Sequence, residues 1–421
     1  MQTQHAKATE STAGQTTKPV RVLYSFPHKL GADRICYTAW QQVNGLAAAG
    51  ADVRVYPGVL HKPVHPSVRV HPTLAWGKLR LSYRLLGTMR MCALHDHLVA
   101  RQVERFADQI DIIHTWPLGA LETLRVAQKL GIPTVLERPN AHTRFAYEVV
   151  QRECERLGVM LPPDHEHAYK PEVLRKEEEE YQQAYRLLCP SDFVLKTFLD
   201  QGFPRPRLVR HFYGFDHNRY FPATTPRHRN GKLIMLFVGV CAVRKGVHFA
   251  LEAWLQSPAR ENGTFLIAGG FLPEYKKKLD PMLSHPSVRV LGHRNDIPEL
   301  MRDSDILVLP TIEEGSPLVS MEAMGSGCVP LVSDVCTGVC KHMENALIHR
   351  VGDVKELTEH ITLLYENPLL LERLRSASLK TAPDVTWAAA GRKLLSVYQE
   401  VIEAKLQTAR QEETEAQLIR N

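Results

Sequence analysis

Short β-branched runs alternate along this chain with longer stretches of helical period, the pattern of βαβ units built around a parallel sheet. Val20–Ser25 predicts a first strand and a turn follows around Gly31. Ile35, Ala39, Val43, Leu46 and Ala47 then fall on one face of a helix over 33–49. Asp33 is the expected N-cap of that helix and Gly50 its stop. Further strands are predicted at Asp52–Tyr56, Val68–His71, Asp111–Thr115, Thr134–Glu137, Arg186–Cys189 and Leu208–Phe212. Helices at Leu118–Leu130 and Asp192–Gln201 lie between them.

A second alternating series starts at Leu233–Gly239 and adds strands at Phe265–Ala268, Val288–Leu291, Asp305–Leu309, Val329–Val332 and Ala346–His349. The stretch His211–Lys232 between the two series is rich in Pro, Arg, Asn and Gly and reads as an interdomain connector. Helical pattern returns at Trp387 and turns polar after Glu403. The expected fold is α/β: two Rossmann-like doubly wound domains facing each other across a cleft, with a C-terminal helical return. The expected division is a disordered leader over 1–19, a first domain over 20–212, a connector over 213–232, a second domain over 233–385, and a C-terminal helix and polar tail over 386–421. Ligands of such sheets sit beyond the carboxyl ends of the strands, so the loops after strands are where chemistry is expected.

Composition narrows the class. With 421 residues, 44% hydrophobic and 23% charged, the chain is ordinary globular material, which excludes disordered, collagenous and disulfide-dense types. A net charge of +6 is too dilute over this length to imply nucleic acid. No apolar run approaches the roughly 20 residues of a membrane span, and Met1–Pro19 has no apolar core of a signal peptide. The eight cysteines lie mostly in apolar runs and read as reduced, packed thiols, so a cytoplasmic protein is expected. Cys336 and Cys340 are four apart with no second pair, and neither His165/His167 nor His61/His65/His71 has the ligand frame of a metal motif. No metal is expected.

Two segments carry chemistry. In Asp305–Gly327 a buried strand runs into a loop with the acids Glu313 and Glu314, and a helix starts near Ser316 or Pro317. Ser as N-cap with Pro at the first turn is a strong helix start, and its orphan amides suit a phosphate in the strand-end crevice. Glu314 and Glu322 flank that anion site and could accept hydrogen bonds from sugar or ribose hydroxyls. A capped helix with solvated acids is the plainer alternative. In Leu236–Val247 a strand runs into a Gly-flanked basic loop, where Arg244 and Lys245 would bring cations to the same anion. An exposed basic turn is the alternative there.

Together these segments resemble the nucleotide-binding domain of the retaining glycosyltransferases of the GT-B fold, glycosyltransferase family 4 (group 1). Its Glu-x7-Glu motif is matched by Glu314 to Glu322, and its Val-Gly-x5-Lys-Gly loop by Val238, Gly239, Lys245 and Gly246. Tyr213–Pro222 is similar to the family's connector, and Cys189–Phe193 and Asp111–His114 to strands of its first domain. The likeness runs over about 20–400 and is strongest in the second half. It implies that Glu314 contacts the transferred sugar, Glu322 the ribose, and Lys245 the diphosphate, helped by the backbone of Leu318 and Val319 at the Ser316–Pro317 helix start. Gly292, His293 and Arg294 would lie near the base, and Gly31 and Ala32 on the acceptor side.

This chain departs from the family's pattern at three places. Val240 stands where the family often has a phosphate-binding Arg, and Arg244 is the expected substitute. The common Gly-Gly of the first βα loop is Gly31-Ala32. The usual His near the anomeric carbon falls at Pro139, leaving His142, Arg138 and Asn140 as candidates in that loop; for His142, a capping or surface role is as good a reading.

The resemblance implies an enzyme that moves a sugar from a nucleotide-diphosphate donor to a hydroxyl acceptor (a glycan, a lipid-linked acceptor or a small molecule), with retention and without metal or other cofactor. Trp76–Met91, with four basic residues among Leu, Tyr, Trp and Met, could form an amphipathic helix on the inner face of a membrane; a core-packed helix is the alternative. A GT-B nucleotide-sugar epimerase and a non-catalytic sugar-nucleotide-binding protein are the competing functions.

Overall fold

A computed structural model describes residues 18–420 apart from 78, 82–85 and 225–231. Most of the expected leader lies outside the described residues. The strands, in chain order, are β1 (Arg21–Leu30), β2 (Asp52–Leu60), β3 (Arg69–Val70), β4 (Ala75–Trp76), β5 (Leu79–Arg80), β6 (Ile112–Thr115), β7 (Thr134–Glu137), β8 (Arg186–Cys189) and β9 (Leu208–Arg210) in the first half. The second half holds β10 (Ile234–Val238), β11 (Thr264–Ala268), β12 (Val288–Gly292), β13 (Ile306–Leu309), β14 (Val329–Ser333) and β15 (Leu347–His349).

Seven strands form one parallel sheet in the order β3-β2-β1-β6-β7-β8-β9, and six form another in the order β12-β11-β10-β13-β14-β15. Each winds outward from its middle in both directions, the doubly wound order whose reversal point opens a crevice at the strand ends. Central strands such as β13 and β7 are buried along their whole length, which is why they read as continuous apolar runs. The expected α/β architecture, with two Rossmann-like units, is what forms.

The closing helix, Trp387–Arg420, returns to the first domain. Its Leu394, Val397, Tyr398 and Val401 enter the core of β1 and the helix Ile35–Ala48. The two helices touch through glycines: a Cβ on Gly391 would stand 2.6 Å from the Gly45 Cα. The domains also share a core, since Val150 and Cys154 of the helix Thr143–Leu157, with Val159 just beyond it, pack into the hydrophobic cluster of the second domain.

Three local expectations are corrected. The helix after β1 begins at Ile35 with Arg34 as N-cap (φ 59°) and no side-chain cap, so exposed Asp33 does not cap it. The helix expected from Leu118 begins at Leu121: Leu118 sits at φ 69°, and Glu180 accepts the amides of Leu118 (2.8 Å) and Ala120 (3.1 Å). The stretch 76–91 is not one amphipathic helix. Its described residues include the antiparallel β4–β5 pair and helical Leu86, and Gly87 at φ 77°, a backbone a helix interior does not adopt, separates these from the helix that starts at Thr88. Residues 78 and 82–85 of that stretch lie outside the described residues.

Candidate active site

The sheet order of the second domain reverses between β10 and β13, which pair directly. The loops leaving these two strands are therefore neighbours, and they carry the two chemical segments. Gly246 (φ 67°) lets them meet, since a Cβ there would stand 2.0 Å from the Pro310 carbonyl oxygen. The Arg244 carbonyl accepts hydrogen bonds from the Ile312 amide and the Thr311 hydroxyl, both at 2.9 Å. Arg244 and Lys245 are thus pinned beside Glu313 and Glu314.

The four side chains form one charged group. Arg244 Nη1 lies 3.2 Å from Glu314 Oε2 and donates to the Glu313 carbonyl at 2.8 Å. The Lys245 ammonium makes an ion pair with the same Glu314 oxygen. Burial works against the charge on Glu314, but the Lys245 and Arg244 charges outweigh it and hold its carboxyl at about 2. Glu313 is fully buried; its Oε1 accepts the Ala141 amide of the first domain at 3.0 Å, and its Oε2 lies 3.3 Å from His167 Nε2 and 3.4 Å from Arg244 Nη1. Despite that burial, the His167 hydrogen bond and the Arg244 charge keep the Glu313 carboxyl below its ordinary range.

The helix behind the loop runs from Leu318 to Ser326 with Pro317, not Ser316, as N-cap. No side chain caps it, so Ser316 does not satisfy its first amides; Leu318 and Val319 begin a turn open to a ligand. Glu322 lies on this helix and hydrogen-bonds Tyr220 of the connector, and burial pushes its carboxyl up to about 7. Gly239 follows β10 at φ 149°, beside exposed Val240. Gly292 (φ 67°) ends the edge strand β12, His293 is exposed, and Arg294 is paired with Asp296 at 2.8 Å.

From the first domain, Pro139 and Asn140 meet the acidic loop. A Cβ on Gly315 would stand 1.6 Å from the Pro139 carbonyl oxygen and 3.2 Å from the Asn140 Cα. Two expected neighbours are turned to other work. The Arg138 guanidinium is buried over the Tyr181 ring (4.4 Å), 3.2 Å from the Thr143 hydroxyl and 3.6 Å from Glu177. His142 is the N-cap of the helix Thr143–Leu157, accepting from the Arg144 amide at 3.3 Å, with its ring edge-on to Tyr181 and Phe198. Burial in that aromatic nest, with Arg138 nearby, pushes the His142 imidazole down to about 3. Gly31 (φ 89°) turns against Lys62, with Ala32 beside it.

Residues 232–367 match the family described as Glycosyl transferases group 1. It is this stretch of the chain that is similar to a group 1 glycosyltransferase domain. The chain is 30% identical over 174 residues, 41% of this chain and 46% of the relative, to N,N'-diacetylbacillosaminyl-diphospho-undecaprenol alpha-1,3-N-acetylgalactosaminyltransferase of Campylobacter jejuni. It is 43% identical over 83 residues, 19% of this chain and 21% of the relative, to UDP-Gal:alpha-D-GlcNAc-diphosphoundecaprenol alpha-1,3-galactosyltransferase of Escherichia coli. The chain thus spans less than half the length of these relatives. In three dimensions it resembles Anabaena HepE, solved with UDP, at a TM-score of 0.63 and 17% identity over 90% of this chain and all of that one. WaaG, a glycosyltransferase involved in lipopolysaccharide biosynthesis, gives 0.62 and 15% over 90% and 99%. The fold is GT-B, and the Arg244–Glu314 group lies inside the matched group 1 domain.

Of the residues expected from sequence, the GT-B structure joins Arg244, Lys245 and Glu314 into one group and sets Pro139 and Asn140 against it. It leaves His142 and Arg138 inside the first domain, and ties Glu322 to the connector rather than to Glu314. Glu313 and His167 were missed as site residues. Glu313 has no motif of its own, and its partners lie 172 and 146 positions away in sequence, so nothing local marks it.

Proposed function

We propose that this protein transfers a sugar from a nucleoside-diphosphate sugar to a hydroxyl acceptor. The observation that carries the reading is the Arg244–Lys245–Glu314 group at the strand-order reversal of a group 1 domain. The relatives named above act on undecaprenol-diphosphate-linked acceptors, and one uses a UDP-sugar. These names support a UDP-sugar donor and a lipid-linked acceptor, met at the inner face of a membrane by a peripherally bound protein. No described helix is long and apolar enough to cross a membrane.

In this reading Lys245 and Arg244 leave Glu314 in part and take the diphosphate, whose negative charge grows as the sugar bond breaks. The open first turn at Leu318 and Val319 adds backbone amides to the same oxygens. Preformed cations and dipoles in a site shielded from water stabilise that charge without rearranging. They stand where another enzyme would use a metal ion. Glu314, released from its ion pairs, accepts hydrogen bonds from the sugar hydroxyls. Glu322 takes the ribose hydroxyls in its ionised form. Retention follows from a front-face course in which the leaving phosphate assists the acceptor hydroxyl, with no protein nucleophile. The Pro139–Gly315 contact excludes water once the domains close.

The test is release of nucleoside diphosphate and transfer of label from UDP-, GDP- and ADP-sugars, with and without a lipid-linked acceptor. Acceptor-dependent transfer by the wild type, lost in Lys245→Ala and Glu314→Ala, supports the reading. A new nucleotide sugar formed with no acceptor present, or full transfer in both variants, contradicts it.

A further inference from the structure

One imidazole of the first domain reaches the charged group. His167 lies in the segment 158–170 that joins the helices Thr143–Leu157 and Pro171–Gln183, and it is buried. Its Nε2 stands 3.3 Å from Glu313 Oε2. Its Nδ1 is buried with no hydrogen-bond partner, and the nearest carboxylate oxygen, Glu166 Oε1, is 3.7 Å away. An ionised carboxylate only accepts, so Nε2 carries a hydrogen and donates it to Glu313. The same oxygen of Glu313 lies 3.4 Å from Arg244 Nη1. An imidazole of one domain and a guanidinium of the other therefore share one carboxylate oxygen.

That sharing has a consequence for an anion. Arg244 faces three carboxylates, Glu313, Glu314 and the exposed Glu166 at 3.9 Å. A diphosphate can hold this guanidinium only as far as those carboxylates release it. Glu314 has Lys245 as a second cation. Glu313 has the Ala141 amide on one oxygen and, on the other, His167. Charge-assisted hydrogen bonds are about twice as strong as neutral ones, so the donor on that oxygen sets how tightly Glu313 grips Arg244.

Resting on the proposed function, we infer that His167 is a positioning residue for the donor diphosphate: its hydrogen bond draws Glu313 away from Arg244 and leaves the guanidinium to the phosphates. His167 touches no phosphate itself. Without it, the whole charge of Glu313 falls on the Ala141 amide and Arg244, and the diphosphate competes less well. A histidine that only fastened the two domains together would change stability and act alike on every ligand.

The test uses the full chain and calorimetric titration of UDP, GDP and ADP, carrying the tightest forward with its monophosphate. His167→Ala is expected to weaken the diphosphate about tenfold and the monophosphate much less. His167→Gln, whose amide can donate to the same oxygen, restores most of the loss. Glu313→Gln in the His167→Ala background also restores it, because a neutral amide no longer holds Arg244. An unchanged diphosphate affinity in His167→Ala overturns the inference, and so does an equal loss for both ligands that Glu313→Gln fails to relieve. Should His167→Ala not fold, Glu313→Gln alone decides: diphosphate binding at least as tight as wild type supports the inference, and weaker binding overturns it. If none of the three diphosphates binds the wild type, the nucleotide site itself is refuted, a result distinct from binding without the His167 dependence.

Discussion

Gly315 of the second domain lies in backbone contact with Pro139 of the first, so close that a Cβ would stand 1.6 Å from the Pro139 carbonyl oxygen. The acidic loop can therefore reach the other domain only with glycine at this position. Gly315→Ala should hold the domains apart without unfolding either. Relieving such an overlap costs about 1–3 kcal/mol, all of it at the interface. Turnover is expected to fall about a hundredfold, as for a misplacement near 1 Å, while nucleotide binding to the second domain changes little. Equal turnover in the variant and wild type would show that this contact is not part of the working enzyme.

Lys245→Ala removes one of the two cations on Glu314. Losing a charge-assisted contact of this kind costs about 1.5–3 kcal/mol, so nucleoside-diphosphate affinity should fall roughly ten- to a hundredfold. Titration calorimetry reads this directly. A Lys245→Ala protein that binds as tightly as wild type would move the diphosphate elsewhere.

Glu322 provides a pH signature. Burial raises its carboxyl to about 7, above its ordinary carboxylate value. The protonated form is therefore favoured in the folded protein. Its contribution to stability is complete below the unfolded carboxylate range and is lost as pH rises through about 7. The ionised carboxylate is the stronger acceptor for ribose hydroxyls, so binding runs the opposite way: nucleotide affinity should fall by up to about tenfold per unit below pH 7. Glu322→Gln should bind weakly with little pH dependence between 5.5 and 8. The same pH slope in that variant would show that another group sets it.

His142 should prove structural. As the N-cap of the helix Thr143–Leu157 it serves the Arg144 amide, and Asn can do the same. His142→Asn is expected to keep most of the transfer activity and His142→Ala to lose about 1 kcal/mol of stability. A large loss of turnover in His142→Asn, with unchanged unfolding, would return this histidine to the chemistry.

Glu137, at the end of β7, holds the first domain, the connector and the helix Ile35–Ala48 together. Fully buried, it accepts from His211 Nε2 and Tyr213 Oη at 2.9 Å and from Gln42 Nε2 at 2.8 Å. Glu137→Ala strands three buried donors and should cost about 3–5 kcal/mol in urea unfolding. A change under 1 kcal/mol would mean that water replaces the carboxylate.

Much of this was legible in the chain. The boundaries of β7, β8 and the helix Val247–Gln256 follow from apolar runs closed by Gly, Pro or Ser, because such runs are buried whichever neighbour they meet. Arg244, Lys245 and Glu314 stand out because each follows a strand, and strand ends converge in a doubly wound sheet. Glu313 and His167 gave no such sign. Their meeting depends on how one domain docks on the other, which local periodicity does not encode. The stretch 76–91 misled because its helical spacing is interrupted by a β4–β5 hairpin and by Gly87, and His142 because a histidine before a helix can serve as either a cap or a catalyst.

The most direct test of the central claim is sugar transfer from a panel of UDP-, GDP- and ADP-sugars by the wild type beside Lys245→Ala and Glu314→Ala, all three confirmed as folded. Transfer by the wild type from one donor class, falling at least a hundredfold in both variants, is the predicted result. Undiminished transfer in both variants would contradict the assignment of the Arg244–Lys245–Glu314 group as the donor site.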